Sequence, residues 1–339
     1  MAPSLDHRLL IQTSPFLKRE ISTPRLMLEV ILSVLPVLIA AIYFFGLSAL
    51  LVVFAAILGA IATEWGLGSQ RPRWVTLRDG SAILTGLLLG LTLPPGIPLW
   101  MAFIGGVVGI GLGKLIWGGL GQNLFNPALV GRAFLQASFP TTLTSWSVHG
   151  GFNEFLSIRG QNLALPFLHG AADAVTTATP LALMKFQHQS TDWQALLIGQ
   201  TGGSLGETSA LIIILCGAVM LARRIFDWRI PVSILLSVAV FSTLLFLIAP
   251  QQYPAPWFML LSGGLLFGTI YMATDPVTSP LSPKATWIFG AGIGVLVVLI
   301  RLFGGLPEGV MYAILLMNAA APLIERSIQP RAFGRGRSS

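Results

Sequence analysis

Three polar stretches interrupt an otherwise oily chain of 339 residues, and they hold the side chains best suited to chemistry. The first, DAVTTATP at 173–180, packs an acid, three threonines and a proline into eight positions. Pro180 biases the residue before it away from the α region, which places the Thr179 hydroxyl on an extended or turn backbone. Ala178 adds little bulk beside it, leaving room for a large group. Asp173, six residues upstream, can assist a modifying enzyme or cap a turn. By residue chemistry alone the stretch reads either as an accessible hydroxyl in a shaped turn or as an ordinary Thr-rich loop.

The second stretch, GGLGQNLFNPALVGR at 118–132, sets Gln122, Asn123 and Asn126 between two apolar runs. Pro127 suits the first turn of a helix and Asn126 its N-cap. Helix-start N–H groups beside amide side chains suit an anion or a polar ring; a capped re-entrant turn is the competing reading. The third, YMATDPVTSP at 271–280, ends an apolar run with Asp275 before a proline. An acid at membrane depth costs about 2.5–3.5 kcal/mol, which makes Asp275 a candidate for an ion path. Beyond the interface it is merely a helix terminus.

Other patterns exclude chemistry. GVVGIGLGKL at 106–115 has the glycines and lysine of a phosphate loop, but its spacing is wrong and Leu115 stands where Ser or Thr would hold magnesium, so helix packing is expected. The four histidines lack the mutual spacing of a metal site, no metal is expected, and no Ser-His-Asp arrangement is visible. No catalytic residue is assigned. Cys216, the one cysteine, lies in an apolar run and is expected to pack.

The elements that must position these residues are transmembrane helices. With 54% hydrophobic and 10% charged residues, the chain is too apolar for a soluble domain. Runs of about 20 apolar residues cross a bilayer. Ten stretches qualify or nearly so: 26–45, 48–66, 81–94, 98–117, 124–139, 208–224, 230–249, 256–273, 285–303 and 308–325. The third, fifth and eighth are short or broken by Gly and Pro. No cleavable signal precedes them, because the first 25 residues are charged and lack a compact apolar core. With the N-terminus in the cytoplasm, all but Arg159, Lys185 and Arg301 of the 20 basic residues fall in or beside cytoplasmic segments. The net charge of +7 is thereby a membrane signature, and no nucleic-acid partner is expected.

The expected organisation is a cytoplasmic segment 1–25, a five-helix unit 26–139, an extracytoplasmic loop 140–207 containing DAVTTATP, a second five-helix unit 208–325 and a basic cytoplasmic tail 326–339. The two units resemble each other. LTGLLLGLTLPP (84–95) and FIGGVVGIGLGKLIWGGL (103–120) have counterparts in LSGGLLFGTIYMATDP (261–276) and FGAGIGVLVVLIRLFGGL (289–306). Five spans each make the repeat inverted, the construction of many transporters, with sites at broken helices near the pseudo-twofold axis. The break points are Pro94-Pro95 and Asp275-Pro276. A stand-alone small-solute channel or transporter fits the repeat equally well; a plain membrane scaffold gives no reason for a modifiable threonine.

The quoted motifs also carry a resemblance. DAVTTAT is similar to the flavinylation motif, in which an Asp, a Ser or Thr, an Ala and a final Thr recur at set spacing. Asp173, Thr176, Ala178 and Thr179 match it; Ala174 and Thr176-Thr177 depart at small or variable positions. Together with LRDGSAILTGLLLGLTLPP, GGLGQNLFNPA, ATDPVTSP and FGGLPEGV, in order over nearly the whole chain, it resembles the D subunits of the bacterial Rnf-type (Rsx) ion-translocating electron-transport complexes. Their relatives are the B subunits of the sodium-translocating NADH:quinone reductase, whose N-terminal region is longer. The resemblance implies an all-α polytopic inner-membrane protein with a urea-transporter-like fold and both termini cytoplasmic. It implies FMN joined by its phosphate to Thr179, installed by a separate flavin transferase. It further implies electron flow between ferredoxin and NAD coupled to Na+ or H+ movement, with iron–sulfur and flavin subunits as partners in the lipid bilayer. A second flavin, non-covalent riboflavin, is a further implication, with Asn123, Asn126 and Asp275 as weak candidates for lining that site or the ion path. The chain has no NAD fingerprint and no iron–sulfur cysteines.

Overall fold

The computed structural model describes residues 22–68, 74–147, 155–156, 160–166, 176–199, 201–207 and 209–328. The first half comprises α1 (Thr23–Phe45), α2 (Leu47–Leu67), the short α3 (Trp74–Leu77), α4 (Ser81–Thr92), α5 (Leu99–Ile110) and α6 (Pro127–Ser138). A π-helical turn, Gly111–Leu115, prolongs α5. Then come α7 (Pro140–Leu143), β1 (Trp146–Ser147), β2 (Thr176–Thr177), α8 (Pro180–Gln187), α9 (Trp193–Ile198) and a 3-10 turn, Leu205–Glu207. The second half comprises α10 (Ala210–Ala222), α11 (Arg229–Ile248), α12 (Pro256–Leu261), α13 (Leu265–Phe267), α14 (Pro283–Phe303) and α15 (Val310–Ser327). A second π-helical turn, Gly268–Met272, runs on from α13.

Every apolar stretch identified in the sequence contains helix, and α1, α2, α11 and α14 are long and apolar enough to cross a membrane by themselves. Their outward faces fit lipid: Leu28, Leu32, Leu35 and Ile39 form an exposed stripe at helical spacing along α1. The 12 residues of α4 rise only about 18 Å, well short of a ~30 Å hydrocarbon core. Among the described residues, non-helical backbone follows α4 at Leu93–Pro98 and separates α12 from α13 at Ser262–Gly264. Such breaks survive at membrane depth only where their backbone groups find partners. Asn162, itself 1% exposed, donates from Nδ2 to the carbonyls of Pro95 (3.0 Å) and Ile97 (2.9 Å) at the first break. Arg301 of α14 does this at the second, donating to the carbonyls of Met259 (2.6 Å) and Ser262 (2.9 Å).

Close helix contacts use glycine. A Cβ on Gly59 of α2 would lie 2.1 Å from the Phe103 carbonyl oxygen of α5, and one on Gly106 would lie 2.3 Å from that of Ala56. The glycines of 106–115 therefore pack helices, as the sequence suggested; Gly109 and Gly113 do so against Pro127. The repeat alignment does not carry over residue by residue, however. Gly106 faces α2, whereas its aligned partner Gly292 faces Met317 of α15. One contiguous core runs through both halves, from Val30 to Ala321, with Phe45 and Phe289 among its largest buried side chains.

Segment 140–207 is more structured than a loop. β1 pairs antiparallel with β2, Trp146 opposite Thr177 and Ser147 opposite Thr176, and this brings the start of the segment against the residues just before Thr179.

Candidate functional site

Thr179 occupies the N-cap of α8. Its backbone is extended (φ −67°, ψ 156°), as the following proline demands, and Pro180 takes the first helical turn. The hydroxyl is not displayed freely: Thr179 is buried, and its Oγ1 accepts from the Ala182 N–H at 3.2 Å, satisfying one of the orphan donors of the helix start. Ala178 is exposed beside it. Thr176 contributes its backbone to β2, and Asp173 lies outside the described residues.

Two adjoining cavities meet here and share Trp146, Pro307 and Glu308 in their walls. Thr179 lines the smaller, about 30 Å³, together with Glu207 and Gly263. Ala178 lines the larger, about 370 Å³, together with Arg132, Gln136 and Tyr312. That volume falls within the ~300–1,000 Å³ of pockets that hold cofactor-sized molecules. Thr179 lines only the smaller cavity, while Trp146, shared by both, stands with Ala178 in the wall of the larger. At the start of α8 Pro180 has no N–H, and the Ala182 and Leu183 N–H groups are taken by the Thr179 hydroxyl and carbonyl oxygens, so the helix dipole is what favours an anion there.

A charged cluster underlies both cavities. Arg132 of α6 donates to Glu308 Oε2 at 2.5 Å, and the Gly264 N–H donates to Glu308 Oε1 at 2.9 Å. Glu308 is thereby paired with a guanidinium and a backbone N–H at once. Glu207, in the 3-10 turn before α10, is pushed well above the usual carboxylate range, first by burial and then by the neighbouring Glu308 charge. Lys185 of α8 donates to the carbonyls of Gly304 and Leu306, fixing the loop that carries Glu308. Of these, the sequence singled out Arg301 and Lys185 only as exceptions to the charge rule; they are placed by the backbone carbonyls they satisfy.

At the opposite end of α10 a second cavity, about 80 Å³, brings Asn123, Asn126 and Asp275 together, with Lys114 and Tyr271 also in its wall. Asn126 caps α6 as expected, its Oδ1 accepting from the N–H groups of Ala128 (3.0 Å) and Leu129 (3.4 Å), while its Nδ2 donates to the Met272 carbonyl at 3.3 Å. That second bond ties the first half to the π-helical turn of the other. Asn123 Oδ1 is buried and has no partner among the described residues, which leaves an acceptor for a bound species. Asp275, in the turn after Met272 and outside the helices, accepts from the Val277 N–H at 3.1 Å; burial pushes its carboxyl up to about 6. It is therefore both a turn-forming residue and a cavity wall. At about 80 Å³ the cavity has room for waters or an ion.

Lys114, which the sequence places in or beside a cytoplasmic segment, is 3% exposed. Its Nζ lies 2.5 Å from Glu64 Oε1 of α2, donates to Ser81 Oγ at 2.6 Å and lies 3.9 Å from Asp79 Oδ2. The π-helical turn that carries it swings the side chain inward, which no periodicity announces. Among the described residues no group of His, Cys, Asp and Glu has the arrangement of a metal site.

Comparison with known proteins gives one consistent result. A family model described as "NQR2, RnfD, RnfE family" matches residues 10–334. The chain is 42% identical over 335 residues to the D subunit of the "Ion-translocating oxidoreductase complex" of Stutzerimonas stutzeri, covering 93% of each. It is 39% identical over 337 residues to the D subunit of the "Proton-translocating ferredoxin:NAD(+) oxidoreductase complex" of Clostridium ljungdahlii, covering 96% of each. It is 38% identical over 330 residues to the D subunit of the "Na(+)-translocating ferredoxin:NAD(+) oxidoreductase complex" of Acetobacterium woodii, with 96% of this chain and 95% of that one covered.

Proposed function

The chain belongs to the NQR2, RnfD, RnfE family, and from that premise we propose that it is the D-type membrane subunit of an ion-translocating oxidoreductase complex, carrying FMN on Thr179. In this reading it passes electrons between ferredoxin and NAD branches in step with Na+ or H+ movement. Relatives named for protons and for sodium are almost equally similar to it, so overall identity does not select the ion. The observation that carries the reading is Thr179 at the N-cap of an eight-residue helix, on the edge of a cavity system of cofactor size.

Bound FMN supplies the redox chemistry. The chain's own residues supply position and charge. The Thr179 oxygen would hold the phosphoester in place of its proton and keep a lone pair for the Ala182 N–H. Ala178, Trp146 and Arg132 line the larger cavity, Arg132 bringing a positive charge to its wall. Iron–sulfur and flavin subunits would deliver and remove electrons, and a flavin transferase would install the group.

The ten-span inverted repeat belongs to the same reading. It is supported by matched packing: the second helix of each five rests on the fourth (α2 on α5, α11 on α14), and the fourth on the fifth (α5 on α6, α14 on α15). A broken third element in each half supports it as well. With both termini cytoplasmic in a bacterial inner membrane, Thr179 then faces the extracytoplasmic side.

The test is co-expression with a flavin transferase, followed by a denaturing gel under ultraviolet light and intact-mass measurement. A fluorescent band and the mass of one FMN are expected, retained in Thr179→Ser and lost in Thr179→Val. A wild-type chain that carries no flavin would overturn this reading in favour of a stand-alone transporter.

A further inference from the structure

Glu207 is short of hydrogen-bond donors. Its Oε1 is enclosed and has no partner among the described residues, and Oε2 receives only a long 3.4 Å contact from the Ser204 N–H. The nearby donors that are engaged serve other acceptors, and among the described residues Arg132 Nε and Arg301 Nε are buried without a partner. Arg132 and the Gly264 N–H serve Glu308, and the two terminal nitrogens of Arg301 serve the carbonyls of Met259 and Ser262. Yet the two carboxyls crowd one spot: a Cβ built on Gly264 would lie 2.8 Å from Glu308 Oε1 and 2.9 Å from Glu207 Oε1. With both carboxyls against Gly264 and Glu207 receiving only that long contact, two negative charges here would repel at low dielectric; a proton on one of them removes the repulsion and permits a hydrogen bond.

We propose that Glu207 and Glu308 share one proton at neutral pH, forming a proton-binding site that sets the charge on the wall of the Thr179 cavity. Glu207 is the acid and donates to Glu308; Glu308 stays ionised against Arg132. Burial and the Glu308 charge both favour the protonated form of Glu207. With the proton bound, two guanidinium groups face a single carboxylate charge, and the cluster carries one net positive charge. Losing the proton to water breaks one O–H bond, moves no electron and neutralises the cluster. The ionisable groups facing Glu207 are Glu308, Arg132 and Arg301. The packed α4 and α13 have none, and the Arg25 and Glu29 of α1 are engaged with each other and with Arg223 at the far end of α10. Lys185 and Tyr312 flank the loop and the cavity that Glu308 lines.

The site's effect on a cofactor rests on the reading of Thr179 given above; the proton itself does not. Infrared spectra of the purified complex, collected across pH in H2O and D2O, test the proton. Expected at neutral pH is a protonated-carboxyl C=O band that shifts down in D2O, disappears as pH rises through the raised Glu207 value, and is absent in Glu207→Gln. Glu308→Gln, which removes the neighbouring negative charge, should move that loss to lower pH. A neutral-pH wild type without the band, or a band untouched in Glu207→Gln, would overturn the proposal. Redox titration tests the consequence. The flavin potential of the wild type should fall more steeply than that of Glu207→Gln over the pH range where the band is lost, since only the wild type loses a positive cluster charge there. Parallel potentials in the two proteins would overturn the claim that the pair sets the cavity charge. If wild type and Thr179→Val both lack flavin yet keep the band, the proposed function fails and the proton site stands.

Discussion

Replacing Arg301 tests whether a broken helix is held by one side chain. Arg301 lies 3% exposed in α14 and supplies the described donors to the Met259 and Ser262 carbonyls, at 2.6 and 2.9 Å. Each charge-assisted bond is worth about 1.5–3 kcal/mol, and an orphaned buried carbonyl costs about 1–3 kcal/mol. Methionine fills most of the volume and removes the cost of burying a charge, which offsets part of that loss. A net destabilisation of about 3–5 kcal/mol remains, the usual result of removing one partner from a buried charged arrangement. Lysine keeps the charge but lacks the planar fork, so Arg301→Lys retains one of the two carbonyls and loses about 1–2 kcal/mol. Thermal midpoints of detergent-solubilised protein, read by the fraction surviving size-exclusion chromatography after heating, should rank wild type above Arg301→Lys above Arg301→Met. If Arg301→Met melts with the wild type, or above Arg301→Lys, the arginine does not hold the break.

Two further substitutions address helix contact and buried charge. Gly59→Ala would set a methyl 2.1 Å from a backbone oxygen that cannot rotate away, so α2 and α5 must separate; a cost of about 1–3 kcal/mol is expected from the same melting assay, and an unchanged midpoint would refute the contact. For the buried Lys114–Glu64 pair, 2.5 Å apart, Lys114→Met should lose about 3–5 kcal/mol by stranding the carboxylate, while adding Glu64→Leu should restore most of it; a double variant no better than the single one contradicts the pairing.

What the sequence made legible followed from local rules. The Asn126 cap and Pro127 sit where turn chemistry puts them, Thr179 is extended because a proline follows, and all ten apolar stretches hold helix. What stayed hidden depends on distant partners. Lys114 looked like an interfacial charge because nothing local reveals a π-helical turn aiming it at Glu64, 50 residues earlier. Glu207 and Glu308 sit in unremarkable loop sequence and acquire meaning only when Gly264 brings them together. Segment 140–207 read as a loop because two-residue strands and short helices fall below any periodic signal. A signal for Arg301 was present, though: a lone arginine in an apolar helix must pair with something, and the double glycine at 263–264 marked where a nearby backbone would need it.

The two cavities are joined by one short piece of chain. Gly264 donates to Glu308 beneath Thr179, and eight residues later the Met272 carbonyl accepts from Asn126 in the wall of the opposite cavity. Between them Leu265–Met272 is helical throughout and buried at every position, with no loop to absorb a displacement. A rigid helical rod of this length moves as a unit, so a shift that alters Gly264 against Glu308 also alters Met272 against Asn126. The π-helical turn at 268–272 is the one irregularity along the rod. Met272 ends the helix, so its carbonyl has no partner in a following turn, and the Asn126 amide takes it. The residues that bear on charge at one end and on the polar cavity at the other are therefore linked through covalent backbone and two hydrogen bonds.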